Sequence, residues 1–202
     1  MIKNIVFDMG GVLLEFDPEK TTNKYYPEEY REVVLNSIFG GELWAMLDRG
    51  TLTVEDALPM FLAKLPESLH EMATPMLLDY YPLMPPYEES YNIAAEMKRR
   101  GFGIYLLSNA TPKYYDYKDK IPVMSLMDGI FISSDYKLLK PEKEIYLKFL
   151  EVFSLKAEEC FFIDDLERNI NGAKAVGFDG FVFKGQPFEE LKRVLYSLPL
   201  PN

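Results

Sequence analysis

The sequence predicts an α/β fold, a doubly wound parallel sheet interrupted by an inserted bundle of helices. Three observations carry that expectation. Five short runs, Ile5–Phe7, Ile104–Leu107, Ile130–Ser133, Phe161–Ile163 and Phe181–Phe183, are almost wholly apolar, as strands covered on both faces of a parallel sheet must be. Helical patterns separate the last four runs, and such alternation winds a parallel sheet with right-handed crossovers. Between the first run and the second, from about Pro18 to Tyr81, the alternation stops and the pattern is helical nearly throughout.

Taken in order, the first strand ends at a lone acid, Asp8, followed by Met9-Gly10-Gly11 and a second apolar run, Val12-Leu13-Leu14. A buried strand that stops at a carboxylate and a Gly-Gly turn puts a charge at the sheet edge with backbone close beside it. In the insert, breaks fall at Pro27, Gly40-Gly41, Gly50 and Pro66. Thr53 followed by Asp56 marks a helix start, with Ala57, Met60, Phe61 and Leu65 as its apolar face. Asp17-Pro18 and Pro82-Leu83-Met84-Pro85-Pro86 read as connectors, so a core of residues 1–16 and 87–202 is expected around a helical unit of residues 17–86. The methionines from Met46 to Met84 are adaptable filling for that bundle. A helix over Pro86–Arg100 follows, with Tyr87, Tyr91, Ala94 and Met97 on one face, a basic last turn and Gly101 as its stop. Another follows Pro141, with Ile145, Phe149 and Val152 spaced for burial. A third runs from Asp165 to Gly177, and a fourth follows Pro187.

Composition narrows the function. The chain is 48% hydrophobic, enough for a substantial core, and its net charge of -10 opposes contact with nucleic acid or an anionic membrane. An anionic ligand would need a local positive pocket. No stretch approaches the roughly 18 apolar residues of a membrane span. Met1-Ile2-Lys3-Asn4 runs straight into the first strand and leaves no room for a signal peptide. The single cysteine, Cys160, opens an apolar run and reads as a buried small hydrophobe. It allows no internal disulfide and fits a reducing, cytoplasmic location. His70 is the only histidine, which disfavours a Ser-His-Asp hydrolase or a multi-histidine zinc site. The chemistry therefore falls to carboxylates, lysine and hydroxyls.

Those groups sit at strand ends. Asp8 ends the first strand, Ser108-Asn109 the second and Asp164-Asp165 the fourth, while Lys140 lies just beyond the third. Open α/β sheets bind ligands outside the carboxyl ends of their strands, so the fold gathers these groups at one edge. Two adjacent carboxylates repel each other unless a cation lies between them. A lysine beside Pro141 at a helix start opposes the helix dipole, which suggests pairing with a carboxylate or a phosphate. The set suits phosphoryl transfer to a carboxylate: Asp8 attacks phosphorus, Asp8 and Asp165 hold magnesium, and Lys140 and Ser108 stabilise the transferring oxygens.

Phe7-Asp8-Met9-Gly10-Gly11-Val12-Leu13, Leu106-Leu107-Ser108-Asn109, Lys140-Pro141 and Phe162-Ile163-Asp164-Asp165 occur in this order across nearly the whole chain. In them the chain resembles the haloacid dehalogenase superfamily of aspartate-nucleophile hydrolases. The resemblance implies a Rossmann-like core, magnesium as cofactor, a small phosphorylated metabolite as substrate and a cap formed by the helical insert. It implies Asp8 as nucleophile, and Ser108, Asn109 and Lys140 as phosphate-binding groups. It further implies Asp165 and the Gly10 backbone carbonyl as metal ligands, with Asp164 beside them.

One position departs from the pattern. Most phosphatases of the superfamily carry a second aspartate two residues after the nucleophile as general acid and base, and here Gly10 stands there. Loss of a proton donor typically costs about 10²- to 10⁴-fold in rate. Some branches with this glycine are regarded as sugar 1-phosphatases, so leaving groups that depart without full protonation are expected. Glu15 or Asp17 is a candidate substitute acid, against a reading as solvated loop carboxylates. Glu42, Trp44 and Asp48 lie on an insert helix within possible reach of substrate, although Trp44 also reads as bundle core. Tyr114, Tyr115 and Tyr117 follow the second-strand site and are candidates for its rim. The rivals are a catalytically silent member that binds a phosphorylated ligand or partner, and a haloacid dehalogenase, against which the doubled acid argues.

Overall fold

The computed structural model describes residues 1–39, 41–185 and 187–201. Its sheet has five parallel strands, β1 (Asn4–Phe7), β2 (Gly103–Ser108), β3 (Gly129–Ile132), β4 (Cys160–Asp164) and β5 (Asp179–Val182), in the order β3-β2-β1-β4-β5. The order reverses direction at β1, the central strand, which makes its carboxyl end the natural ligand crevice. Alternate side chains of β1 go to opposite faces, as the pleat requires. Ile5 and Phe7 join Ile104, Leu106 and Ile163 in a layer closed by Ile93, Ala94 and Met97 of α6 (Glu88–Arg99) and by Leu191 and Leu195 of α11 (Glu189–Tyr196). Val6 goes to the other face with Leu107, Phe131 and Phe162. There it meets Ile145, Tyr146 and Phe149 of α9 (Lys143–Phe153) and Ile170 and Ala173 of α10 (Glu167–Lys174).

Between β1 and β2 run α1 (Pro18–Tyr25), α2 (Arg31–Ile38), α3 (Glu42–Arg49), α4 (Val54–Leu62) and α5 (His70–Leu78). They share a separate apolar cluster that includes Val34, Ile38, Leu43, Leu47, Val54, Ala57, Phe61 and Ala73. Two capping devices set their limits. Thr53 accepts a hydrogen bond from Asp56 N at 3.1 Å and so starts α4. Gly50, at φ +67°, ends α3 in the left-handed conformation that glycine adopts without steric cost. The short helices α7 (Tyr114–Tyr117) and α8 (Ser133–Tyr136) follow β2 and β3 directly.

Three expectations about helix faces, one about a strand and one about a rim are corrected. Met60, Tyr91 and Val152 were expected on buried faces but are 45%, 37% and 39% exposed, each lying off the stripe its neighbours bury. Ser133 does not extend β3 but opens α8. Tyr114 is fully buried in the core layer under α6 rather than rimming an entrance, and Tyr117 stacks on Tyr81 with ring centroids 4.4 Å apart. Tyr115 stays exposed and donates its hydroxyl to Asp135.

Phe61 is 2% exposed within the insert cluster. Phe61→Ala is expected to cost about 3–4 kcal/mol through lost burial and the cavity it leaves. Urea denaturation checks this, and a loss below about 1 kcal/mol would mean that the insert core collapses around the gap.

Candidate active site

Register brings the strand-end groups together. Phe7 pairs with Leu106 on one side and with Ile163 on the other, so the next residue of each strand, Asp8, Leu107 and Asp164, emerges at the same level. Asp8 N donates to Ile163 O at 2.8 Å and fixes the turn. The loop then folds back: Gly11 N donates to Leu14 O at 2.8 Å and Leu14 N to Met9 O at 2.9 Å. Neither bond uses the Gly10 carbonyl. Gly11 has φ +73°, and a Cβ on it would lie 2.9 Å from the Asp165 carboxyl carbon. The glycine is needed both for the turn and for the close approach of Asp165.

Lys140 lies in the loop between β3 and α9, and its side chain is 1% exposed. Its Nζ contacts Asp8 Oδ1 at 2.8 Å and Asp164 Oδ2 at 2.7 Å, and donates to the Leu107 carbonyl at 3.1 Å. An ammonium group has three donors, and all three are used. Asp164 is completely buried and also accepts from Leu166 N at 2.8 Å and from Asn169 Nδ2 at 2.9 and 3.0 Å. Its oxygens are thus filled by protein donors. Asp165 is half-buried, and one oxygen from each of Asp8, Asp164 and Asp165 falls within a span of 4.8 Å.

The charges do not balance. Burial pushes Lys140 down, but the Asp164 and Asp8 carboxylates outweigh it and hold the ammonium above its ordinary range. Burial pushes Asp8 up to about 7, with Lys140 opposing and Asp164 and Asp165 adding to the rise. Asp165 is pushed up to about 6 by burial and then by Asp164. Three carboxylates facing one lysine leave an excess of negative charge, and the donor set is all oxygen. That set fits a hard divalent cation such as magnesium, with the Asp164 oxygens already engaged by Lys140, Leu166 N and Asn169.

The remaining expected residues divide. Ser108 is buried at the end of β2, where its hydroxyl makes a long 3.4 Å bond to the Asn109 carbonyl. The Asn109 side chain holds the Lys140 backbone instead of standing free toward a ligand, accepting from Lys140 N at 2.9 Å and donating to Lys140 O at 3.1 Å. Glu15 pairs with Lys20, and Asp17 caps α1 by accepting from Lys20 N at 2.8 Å. Glu42 is exposed. Trp44 packs with Phe16, Phe39 and Tyr80 at centroid distances of 6.3, 5.4 and 5.6 Å. Asp48 stands half-buried on the last turn of α3. Sequence reasoning missed Asn169, which orients Asp164, and Lys184, which donates to the Asp165 carbonyl at 3.0 Å. A buried asparagine in a helix that follows paired acids was the available signal for the first.

The family model for haloacid dehalogenase-like hydrolases matches residues 2–177. The chain belongs to this family. It is 27% identical to the sesquiterpene phosphatase of Aspergillus oryzae over 179 residues, 88% of each chain. It is 24% identical to the D-ribitol-5-phosphate phosphatase of Bacteroides thetaiotaomicron over 195 residues, covering 90% of this chain and 91% of that one. A family enzyme from the same bacterium, solved as a magnesium complex, superposes with a TM-score of 0.73 at 22% identity, over 95% of this chain and 98% of that one. No described helix of this haloacid dehalogenase-like chain is long and apolar enough to cross a membrane.

The Asp8 imbalance generates a stability prediction. Its carboxyl rises from 3.8 unfolded to about 7 folded, so between those values the folded state holds a proton that the unfolded chain releases. Stability therefore falls as pH rises through that window. Asp8→Asn removes the cost and is expected to raise the metal-free melting temperature at pH 8 by roughly 4–8 °C, about 2 kcal/mol, with the gain vanishing toward pH 4. Melting the variant below the parent at pH 8 would mean that the lost Lys140 pair outweighs the relief of burial.

Proposed function

We propose that this chain is a magnesium-dependent phosphatase of a small phosphorylated metabolite, working through an aspartyl-phosphate on Asp8. The observation that carries the reading is the Asp8–Lys140–Asp164 chain at the switch point of the sheet, with Asp165 alongside. Asp8, Asp165 and the Gly10 carbonyl would hold magnesium, which when bound would supply positive charge beside the phosphate and favour the ionised form of Asp8. The free oxygen of Asp8 attacks phosphorus in line with the leaving oxygen. Lys140, fixed by Asp164 and by its backbone bonds to Asn109, neutralises charge on the transferring phosphoryl group. The Ser108 hydroxyl, weakly engaged at the end of β2, donates to a phosphate oxygen. Water then attacks the phosphorus of this acyl phosphate, breaks its bond to Asp8 and releases phosphate with the carboxylate restored.

The two phosphatase relatives are named for a sesquiterpene and for D-ribitol 5-phosphate, and the insert of residues 17–86 would close over a small substrate of either kind as a cap. A sugar 1-phosphate is the finer possibility that Gly10 suggests, since an anomeric oxygen leaves more easily than an ordinary alkoxide. A cap excludes water and selects small substrates. The division into a core of 1–16 and 87–202 and this cap belongs to the same proposal.

Hydrolysis of p-nitrophenyl phosphate with magnesium, with EDTA and with Asp8→Asn tests the reading. Turnover that falls at least about 10³-fold without metal or without Asp8 is expected, since each is needed for the chemical step. Equal turnover in all three conditions would overturn the reading.

A further inference from the structure

We propose that Asp48, on helix α3 of the insert, is the acid that protonates the departing oxygen and then the base that activates the hydrolytic water. This rests on the phosphatase reading above. Cleaving an alkyl phosphate drives the P–O electron pair onto an oxygen that needs a proton, and in the phosphatase reading the strand-end acids Asp8 and Asp165 are ionised, as nucleophile and metal ligand. All three Lys140 donors are committed to Asp8, Asp164 and the Leu107 carbonyl. Asp164 is filled as an acceptor. Glu15 is tied to Lys20, and Asp17 caps α1. Gly10 has no side chain, and the space above it is taken: a Cβ there would lie 3.3 Å from Phe16 Cβ.

Asp48 is brought to the site from the other side. The last turn of α3 is pinned to the core at the carboxyl ends of β2 and β3. Ser133 Oγ donates to the Asp48 carbonyl at 2.5 Å while accepting from Ala110 N at 2.9 Å. Arg49 pairs with Glu142 through both terminal nitrogens and donates to the Lys137 carbonyl at 3.2 Å, and Lys137 donates to the Gly50 carbonyl. Glu142 in turn accepts from Leu139 N at 3.2 Å, inside the loop that carries Lys140. The Asp48 carboxyl consequently lies close enough to Asp8 and Lys140 to feel both charges, with the Trp44 indole as a further polar neighbour. Burial first and the Asp8 charge second push it up to about 7, against Lys140 and Trp44. Its place in the last helical turn, beside the negative end of the dipole, also favours the protonated acid.

The step balances. Asp8 forms a bond to phosphorus, the P–O bond to the substrate breaks, and the Asp48 proton goes to the leaving oxygen to give an alcohol. Water then attacks the phosphoryl group as its proton passes to the Asp48 carboxylate, the Asp8–phosphorus bond breaks, and phosphate departs with both acids restored.

The test compares parent, Asp48→Asn and Asp48→Glu on a primary alkyl phosphate and on p-nitrophenyl phosphate, with magnesium present. Asp48→Asn is expected to lower kcat/KM about 10²- to 10⁴-fold on the alkyl ester and less than about tenfold on the aryl ester, which needs no acid. Asp48→Glu should recover part of the alkyl activity if it retains the parent's melting temperature. An equal loss on both esters marks Asp48 as a structural residue and overturns the proposal, as does no loss on the alkyl ester. Either result with aryl turnover still dependent on Asp8 leaves the phosphatase reading standing. Absence of aryl turnover in the parent overturns that reading and the role of Asp48 with it.

Discussion

The Lys140 ammonium is the charge on which the rest of the site depends. It is buried at the end of the central strands, and a lone ammonium there would carry a large desolvation cost. Contacts at 2.8 and 2.7 Å to Asp8 and Asp164, and a bond to the Leu107 carbonyl, offset that cost by using every donor the group has. The reverse also holds: without Lys140 the buried carboxylates would face one another uncompensated. Neither charge can be placed alone, so the β3–α9 loop, the end of β1 and the end of β4 must be set jointly. The Asn109 amide does much of that setting by gripping the Lys140 backbone at both its N–H and its carbonyl.

That mutual dependence explains why polar residues cluster in an otherwise apolar sheet. Asp164 can be completely buried because three donors, Lys140 Nζ, Leu166 N and Asn169 Nδ2, surround it in a closed set of four bonds. A satisfied buried network of this kind holds its members in one geometry. Asp165, one residue on, lacks such a set and is left half-buried against Gly11, which gives it freedom to meet a cation. Adjacent acids in one turn are therefore unlike in surroundings: one braces the lysine, the other stays partly exposed.

Much of this was legible in the sequence because it depends on strand ends. Apolar runs locate the strands, parallel pairing aligns their carboxyl ends, and Asp8, Ser108, Lys140, Asp164 and Asp165 then fall on one edge without further information. What was not legible depends on side-chain partners far away in sequence. Asn109 looks the same in sequence whether it meets a ligand or, as here, the Lys140 backbone 31 residues on. Asn169 belongs to the Asp164 network only because the turn after β4 folds it back. Faces of single helices were also read imperfectly. Tyr91, Val152 and Met60 fit an apolar periodicity, but each sits at the margin of the stripe, where packing against neighbouring elements decides exposure.

The insert is joined to this network through the same loop that carries the lysine. Arg49 grips Glu142, and Glu142 grips Leu139 N, so α3 and Lys140 share a short chain of bonds. Phe16, packed over Gly10, continues into the aromatic group of Phe39, Trp44 and Tyr80 and ties the first loop to the insert as well. An acid fixed two residues after the nucleophile would be part of the rigid sheet edge at all times. An acid on α3 is at the site only while these contacts hold the helix against the core. On the proposed mechanism, a proton donor on Asp48 in place of one at position 10 links proton transfer to the seating of the insert, and an insert that lifts away would leave a phosphorylated Asp8 without its base. The glycine and the aromatic group above it are then two sides of one arrangement, in which the first loop yields the space and the insert supplies the chemistry.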